Sequence, residues 1–249
     1  MKVAMVTGAS SGFGEATARQ LIALGWCVIG TGRRAERLQA LAAELGEHFH
    51  PLVFDVSERK ACEEAVASLP PALSSIDLLV NNAGLALGLE PAHEAELDNW
   101  QRMIETNING LIVMTRLISP GMVERGSGTI INISSVAANY AYPGANVYGA
   151  TKAFVSQFSL NLRADLHGSS VRVTSIEPGL CKTEFSLVRF GGDAKAADVP
   201  YADTEFLSAD DVASAVVWVA EQPAHININR LELMPVSQSF AGFPIHRKN

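Results

Sequence analysis

Tyr148 and Lys152 stand four residues apart in Val147-Tyr148-Gly149-Ala150-Thr151-Lys152, a spacing that sets both side chains on one face of a helix. A phenol with its ordinary pKa near ~10 is a poor base at neutral pH. An ammonium beside it favours the phenolate, which makes proton exchange with an alcohol or carbonyl feasible. Alone, this pair is a common feature of amphipathic helix surfaces. Two other segments add to it. Ser134-Ser135 ends an apolar run and offers a hydroxyl that could polarise a substrate oxygen. Asn107 interrupts the apolar stretch Leu97–Ile118, where a buried amide needs a partner.

A second group of residues suits a nucleotide. Thr7-Gly8-Ala9-Ser10-Ser11-Gly12-Phe13-Gly14 follows the first apolar run and opens a helical pattern. Glycines there let the backbone turn sharply and approach a pyrophosphate, whose charge the helix N-terminus favours. The spacing is GxxxGxG rather than GxGxxG. Thr31-Gly32-Arg33-Arg34 ends the second apolar run without the acid that would hold a free ribose. Guanidinium groups suit a phosphate, and cations at a helix start are disfavoured unless an anion joins them. Arg33 and Arg34 therefore favour NADP(H) over NAD(H), with the contact not apportioned between them. Asn81-Asn82-Ala83-Gly84 follows the fourth apolar run and could line the same nucleotide.

These groups need a scaffold that brings distant segments together. Apolar runs at Val3–Thr7, Cys27–Thr31, Leu52–Asp55, Ile76–Asn81, Thr129–Ser134, Val171–Ile176 and Leu231–Met234 alternate with helical patterns. Those patterns are Gly14–Leu24, Ala35–Leu45, Glu58–Leu69, Leu97–Ile118, Val147–Leu166 and Ala209–Ala220. Val/Ile/Leu-rich runs without polar alternation predict a parallel sheet covered on both faces. The expectation is one doubly wound, Rossmann-like α/β domain with a seven-stranded, mainly parallel sheet, its ligands beyond the carboxyl ends of the strands. Residues 181–207 are the least regular stretch and read as a substrate loop, and about 235–249 form a C-terminal tail.

Composition narrows the function classes. Hydrophobic residues make up 48% and charged residues 18% of the 249 residues, as in an ordered globular protein. A net charge of −7 argues against general nucleic-acid binding. Cys27, Cys62 and Cys181 are dispersed and form no metal or redox pair. The chain opens on an apolar run rather than a signal peptide, and no uncharged stretch of ~20 apolar residues occurs. Cytoplasmic placement is the default expectation, with no membrane and no metal.

Taken in order, Thr7–Gly14, Asn81–Gly84, Asn107, Ser134-Ser135, Tyr148–Lys152 and Pro178-Gly179 resemble the short-chain dehydrogenase/reductase family over nearly the whole length. The resemblance implies Tyr148 as proton donor in reduction and Ser135 as the hydroxyl that orients the carbonyl. Ser135 is preferred over Ser134 because the family's serine stands thirteen positions before its tyrosine. It implies that Lys152 lowers the tyrosine pKa and binds the nicotinamide ribose, and that Asn107 supports a water-linked relay to Lys152. It also assigns Gly8, Ser10, Ser11, Gly12, Phe13, Gly14, Asp55, Val56, Asn82, Ala83, Gly84, Tyr148, Lys152, Pro178, Gly179 and Thr183 to the cofactor. Glu177, before Pro178, departs from the family pattern. A homotetramer is implied as well.

A narrower resemblance, in Asn146–Phe154, Ile176–Gly179 and Ala224–Asn229, points to a branch acting on small 3-hydroxy acids. That branch includes serine and allo-threonine dehydrogenases and malonic semialdehyde reductases, and similar sequences reduce sulfoacetaldehyde to isethionate. The expected substrate is a short anionic aldehyde or its hydroxy acid, with sulfoacetaldehyde slightly ahead. Arg189 is the first candidate for the anion and Phe243-Pro244-Ile245-His246-Arg247-Lys248 the second; a set of Asn and Ser donors is a third route. Two other classes stay open: a non-catalytic NADP(H)-binding sensor, and an epimerase or dehydratase that keeps its nucleotide bound.

Overall fold

The alternation of apolar runs and amphipathic stretches becomes a repeating strand–helix unit in the computed structural model, which describes residues 1–240. The strands are β1 (Val3–Thr7), β2 (Cys27–Gly32), β3 (Phe49–Val53), β4 (Leu78–Asn81), β5 (Gly128–Ile133), β6 (Val171–Pro178) and β7 (Arg230–Leu233). They form one sheet in the order β3-β2-β1-β4-β5-β6-β7, and every pairing is parallel. The fold is thus Rossmann-like, and the sheet expected to be mainly parallel is parallel throughout. All five residues of β1 are buried, as a central strand covered on both faces requires.

The main helices are α1 (Gly12–Ala23), α2 (Ala35–Leu45), α3 (Arg59–Ala67), α4 (Leu97–Ile104), α5 (Leu111–Arg125), α6 (Asn146–Asp165), α7 (Glu184–Arg189), α8 (Ala194–Asp198) and α9 (Ala209–Ala220). One core joins Leu21 of α1, Leu38 of α2 and Val216 of α9 to Val6, Val28 and Ile131 of the sheet. The other joins Cys62 of α3 and Met114 and Ile118 of α5 to Met5, Ile29 and Leu79. Alternation of these contacts along each strand makes a two-sided core, with burial of apolar area the main stabilising term. Because β2 and β4 leave β1 in opposite directions, a crevice opens beyond the carboxyl ends of β1 and β4.

Beyond shifts of a residue or two at element ends, three regions differ from the sequence expectation. The third strand begins at Phe49 rather than Leu52. It is the sheet's edge, only partly buried, so its apolar signal is weak; the Phe49 ring lies where a side chain on Gly30 would otherwise stand. The stretch expected as one helix over Leu97–Ile118 contains a π-helical turn at Glu105–Gly110 and continues to Arg125. Residues 181–207 are more regular than expected, since α7, α8 and a 3-10 turn at Val199–Tyr201 lie within them.

Among the described residues no helix is long and apolar enough to cross a membrane. Nor does any group of three His, Cys, Asp or Glu residues there suit a metal ion. The basic cluster Phe243–Lys248 lies outside the described residues.

Candidate active site

A cleft of about 780 Å³ runs along the carboxyl ends of the strands. One end is the glycine-rich turn between β1 and α1. Ser11 caps α1 in an extended conformation and makes no side-chain bond to the first turn, which leaves that turn's N–H groups open to an anion. A side chain on Gly14 would overlap Gly8 O and the Asn82 amide. The turn is tied to β4: Asn82 Nδ2 donates to Thr7 O at 2.8 Å, while the backbone N–H groups of Asn82 and Ala83 donate to the Thr7 hydroxyl at 3.0 Å each. At its glycines the turn therefore brings backbone to the cleft, as close approach of a pyrophosphate requires.

Beyond β2 the arginines form a charged rim. Arg34 donates from Nε to Ser10 Oγ at 3.0 Å and from Nη2 to Ser11 Oγ. Its Nη1 meets Glu184 at 2.9 Å. Arg37, one helical turn further along α2, reaches both Glu184 oxygens at 2.6 and 2.7 Å. Arg34 and Arg37 hold the Glu184 carboxyl below the usual carboxylate range. Arg33 is more exposed and stands 3.4 Å from Asp55. A rim of three guanidinium groups beside two serine hydroxyls fits a 2′-phosphate, and together with the open helix end it fits the whole dinucleotide.

The other end of the cleft is buried. Tyr148 and Lys152 project from α6 at 8% and 6% exposure. Lys152 Nζ donates to Ile133 O at 2.9 Å and lies 5.9 Å from the Tyr148 ring centre. Burial lowers the Lys152 pKa to about 8. Burial also pushes the Tyr148 phenol well above its usual value, with the Ser135 hydroxyl and Arg189 pulling it back down. Among the influences on the phenol, burial is the largest.

The two serines differ. Ser134 Oγ is 3% exposed, donates to Lys152 O and pairs with Ser156 Oγ, both at 2.8 Å. Ser135 caps the following 3-10 turn and faces Pro178 O at 3.3 Å, beside Tyr148. Asn107 sits in the π turn behind the cleft wall, where it bonds both backbone groups of Leu85 and the Thr151 hydroxyl at 2.8–3.0 Å. A π turn inserts one residue into the helical ladder and rotates the side chains after it. Here that brings Asn107 against α6. Glu177 is fully buried and accepts from Ser156, Ser175, Asn139 and Arg230, so it braces β6 against α6 and β7.

The remaining expected cofactor residues Phe13, Asp55, Val56, Gly84, Pro178, Gly179 and Thr183 also line the cleft, whereas Gly14 and Asn107 are not part of its lining. Arg189, at the end of α7, closes the buried end. Its guanidinium carbon lies 5.6 Å from both the Tyr142 and Tyr148 ring centres. Nε donates to Gly88 O and Nη1 to the Tyr142 hydroxyl, each at 3.1 Å. Nη2 is buried and finds no partner among the described residues. Sequence reasoning missed Arg37, Glu184, Tyr142 and Phe185. Arg37 carried a usable signal, three residues beyond Arg34 on one helix face; the others are brought in by tertiary contact alone.

Residues 2–189 match the family model described as short chain dehydrogenase. The chain belongs to the short-chain dehydrogenase family. It is an oxidoreductase of the same length as its relatives: a serine 3-dehydrogenase from Agrobacterium fabrum is 58% identical over 245 residues, 98% of each chain. An NADP-dependent 3-hydroxy acid dehydrogenase from Salmonella typhi is 60% identical over 246 residues, 98% of this chain and 99% of that one. A solved structure of a serine dehydrogenase in its closed form with NADP+ superimposes with a TM-score of 0.98 at 58% identity, covering 99% and 100% of the two chains. The short-chain dehydrogenase fold is therefore shared to the ends of the cleft.

Proposed function

We propose that the enzyme interconverts a short 3-hydroxy acid and the corresponding 3-oxo acid or semialdehyde, with serine-like acids and 3-hydroxypropionate as the substrate class. The cofactor is NADP(H), in keeping with the NADP-dependent relative and the NADP+-bound structural neighbour. Arg33 and Arg34, joined by Arg37, take its 2′-phosphate, and the glycine-rich turn takes its pyrophosphate. When bound, the nicotinamide supplies or accepts the hydride. In reduction Ser135 orients the carbonyl oxygen and Tyr148 protonates it; in oxidation Tyr148 takes the hydroxyl proton. Lys152 returns the proton, and Asn107 positions it by tying Leu85 to Thr151 of α6.

One observation carries the substrate class. Arg189 Nη2 is a buried cationic donor without a partner among the described residues, held against the ring of the proton-transferring tyrosine. An unpaired buried donor of this kind is costly unless an acceptor arrives. A carboxylate two carbons from the reacting carbon supplies one, through a charge-assisted bond. Sulfoacetaldehyde also offers an anion, and sequence likeness placed it first. The relatives named for serine and 3-hydroxy acids move the carboxylates ahead of it.

A substrate panel tests the reading. L-serine, L-allo-threonine and 3-hydroxypropionate with NADP+, and malonic semialdehyde, sulfoacetaldehyde and neutral aldehydes with NADPH, are followed by absorbance. Carboxylates should give the highest kcat/KM. A preference for neutral aldehydes overturns the anion site, and a preference for sulfoacetaldehyde keeps the site but changes the substrate.

A further inference from the structure

The short helix α7 is pinned at both ends to opposite ends of the cleft. Its first residue, Glu184, is gripped by Arg34 and Arg37. Its last, Arg189, is fastened to Gly88 by two bonds, Gly88 N to Arg189 O at 3.0 Å and Arg189 Nε to Gly88 O at 3.1 Å. Between them Phe185 packs on Tyr148 with ring centres 5.6 Å apart, and Ser186 pairs with Tyr201. The helix that covers the substrate end is therefore anchored on the arginines of the nucleotide rim.

We propose that Glu184 is a specificity-determining strut, which holds the substrate lid closed by occupying Arg34 and Arg37 and thereby competes with the cofactor's 2′-phosphate for those arginines. The inference rests on the reading of the arginine rim as the 2′-phosphate site. Charge supports the competition. Arg33, Arg34 and Arg37 carry three positive charges, and Glu184 and Asp55 already return two negative ones within salt-bridge distance. A dianionic phosphate entering the same cluster meets a carboxylate of like sign close by, which disfavours it. Geometry supports the coupling. Arg34 has placed Nε and Nη2 on Ser10 and Ser11, so its Nη1 contact is the link from the glycine-rich turn to the lid. NADPH binding and lid closure then draw on one pair of guanidinium groups.

The competition gives the two ends of the cleft opposite responses to one substitution. In Glu184→Gln the carboxylate charge goes while the side-chain size stays. NADPH should bind about two- to fivefold more tightly, the range that exposed ion pairs produce, and NADH, without the phosphate, should bind as before. Titration by nucleotide fluorescence measures both without turnover. In the same variant the backbone amides of residues 184–189 should exchange hydrogen faster, because the lid has lost an anchor. KM for the turned-over hydroxy acid should rise more than kcat falls. Weaker NADPH binding in Glu184→Gln would overturn the proposal, since it would make Glu184 an orienter of the arginines rather than their competitor. Equal shifts for NADPH and NADH, or unchanged lid exchange, would overturn it too. Arg34→Ala keeps this test distinct: if that change fails to weaken NADPH relative to NADH, the rim itself is misread, whatever Glu184 does.

Discussion

At the chemical end of the cleft Tyr148 and Lys152 are 8% and 6% exposed, whereas at the arginine end the side chains of Arg33, Arg34 and Arg37 are 61%, 41% and 49% exposed. The same kinds of polar contact have different weight in these two settings. In the buried end, desolvation moves pKa values, and a donor such as Arg189 Nη2, unpaired among the described residues, is costly. At the rim, water and salt screen each ion pair, so several must act together. Recognition at the rim is built from many weak contacts; the chemistry is built from few strong ones.

The largest expected effect tests the buried end directly. Tyr148→Phe removes the proton-transferring hydroxyl and keeps the ring that packs on Phe185. General acid–base catalysis contributes ~10²–10⁴ in rate, so kcat should fall by about that factor. Near-normal turnover by a folded Tyr148→Phe protein would remove the asymmetry between the two ends. Arg189→Leu comes next. It keeps apolar stem packing and loses the cationic donor. Hydrogen bonds to charged groups contribute ~1.5–3 kcal/mol, so kcat/KM for a carboxylate substrate should fall by roughly 10–100-fold. A neutral aldehyde should lose far less. If both substrates fall alike, Arg189 acts as a lid fastener and not as an anion donor.

Much of the site was legible in the sequence because it is local. The Tyr148–Lys152 spacing, the Ser134-Ser135 pair at a strand end and the glycine-rich turn are each contained within one element or one junction. The doubly wound sheet was legible for the same reason, since central strands such as β1 are unbroken apolar runs. What escaped is contact at long range. Arg189 meets Gly88 across 101 residues and Arg37 meets Glu184 across 147, and no period or spacing records such a meeting. The π turn at Glu105–Gly110 escaped because its flanks keep a helical pattern on both sides. The third strand was misplaced because only its first residue, Phe49, is buried and the His50-Pro51 that follows interrupts the apolar run.

The buried end also sets a pH response of middle size. Burial lowers the Lys152 pKa to about 8, so the ammonium predominates below that pH and the neutral amine above it. Reduction needs the protonated form to resupply Tyr148, and its rate should fall up to tenfold per unit as pH rises beyond about 8. A reduction rate flat to pH 10 would show that Lys152 is not the proton source. The linked stability effect has the opposite sign. Between about 8 and the unfolded value of ~10.4 the unfolded chain binds more protons at this site than the folded one, so the Lys152 contribution to stability improves with rising pH.

The smallest effects belong to the rim, and salt separates them from everything above. Arg34→Ala removes one of three guanidinium groups and its bonds to Ser10 and Ser11. Its removal should weaken NADPH binding about three- to tenfold at low salt and leave NADH nearly untouched. Arg33→Ala should do less, because Arg33 is the most exposed of the three and its described ion pair is the longest, at 3.4 Å. Screening shortens the range of exposed charge interactions to roughly 3 Å at 1 M salt. The wild-type preference for NADPH over NADH should therefore shrink as salt rises, and the Arg34→Ala deficit should shrink with it. The Tyr148→Phe and Arg189→Leu deficits should change less, since Tyr148 is buried and Arg189 half-buried. Binding titrations of both nucleotides across a salt series decide the matter. An Arg34→Ala deficit that persists undiminished at 1 M salt would mean that the rim, once the phosphate is bound, is as dry as the tyrosine end.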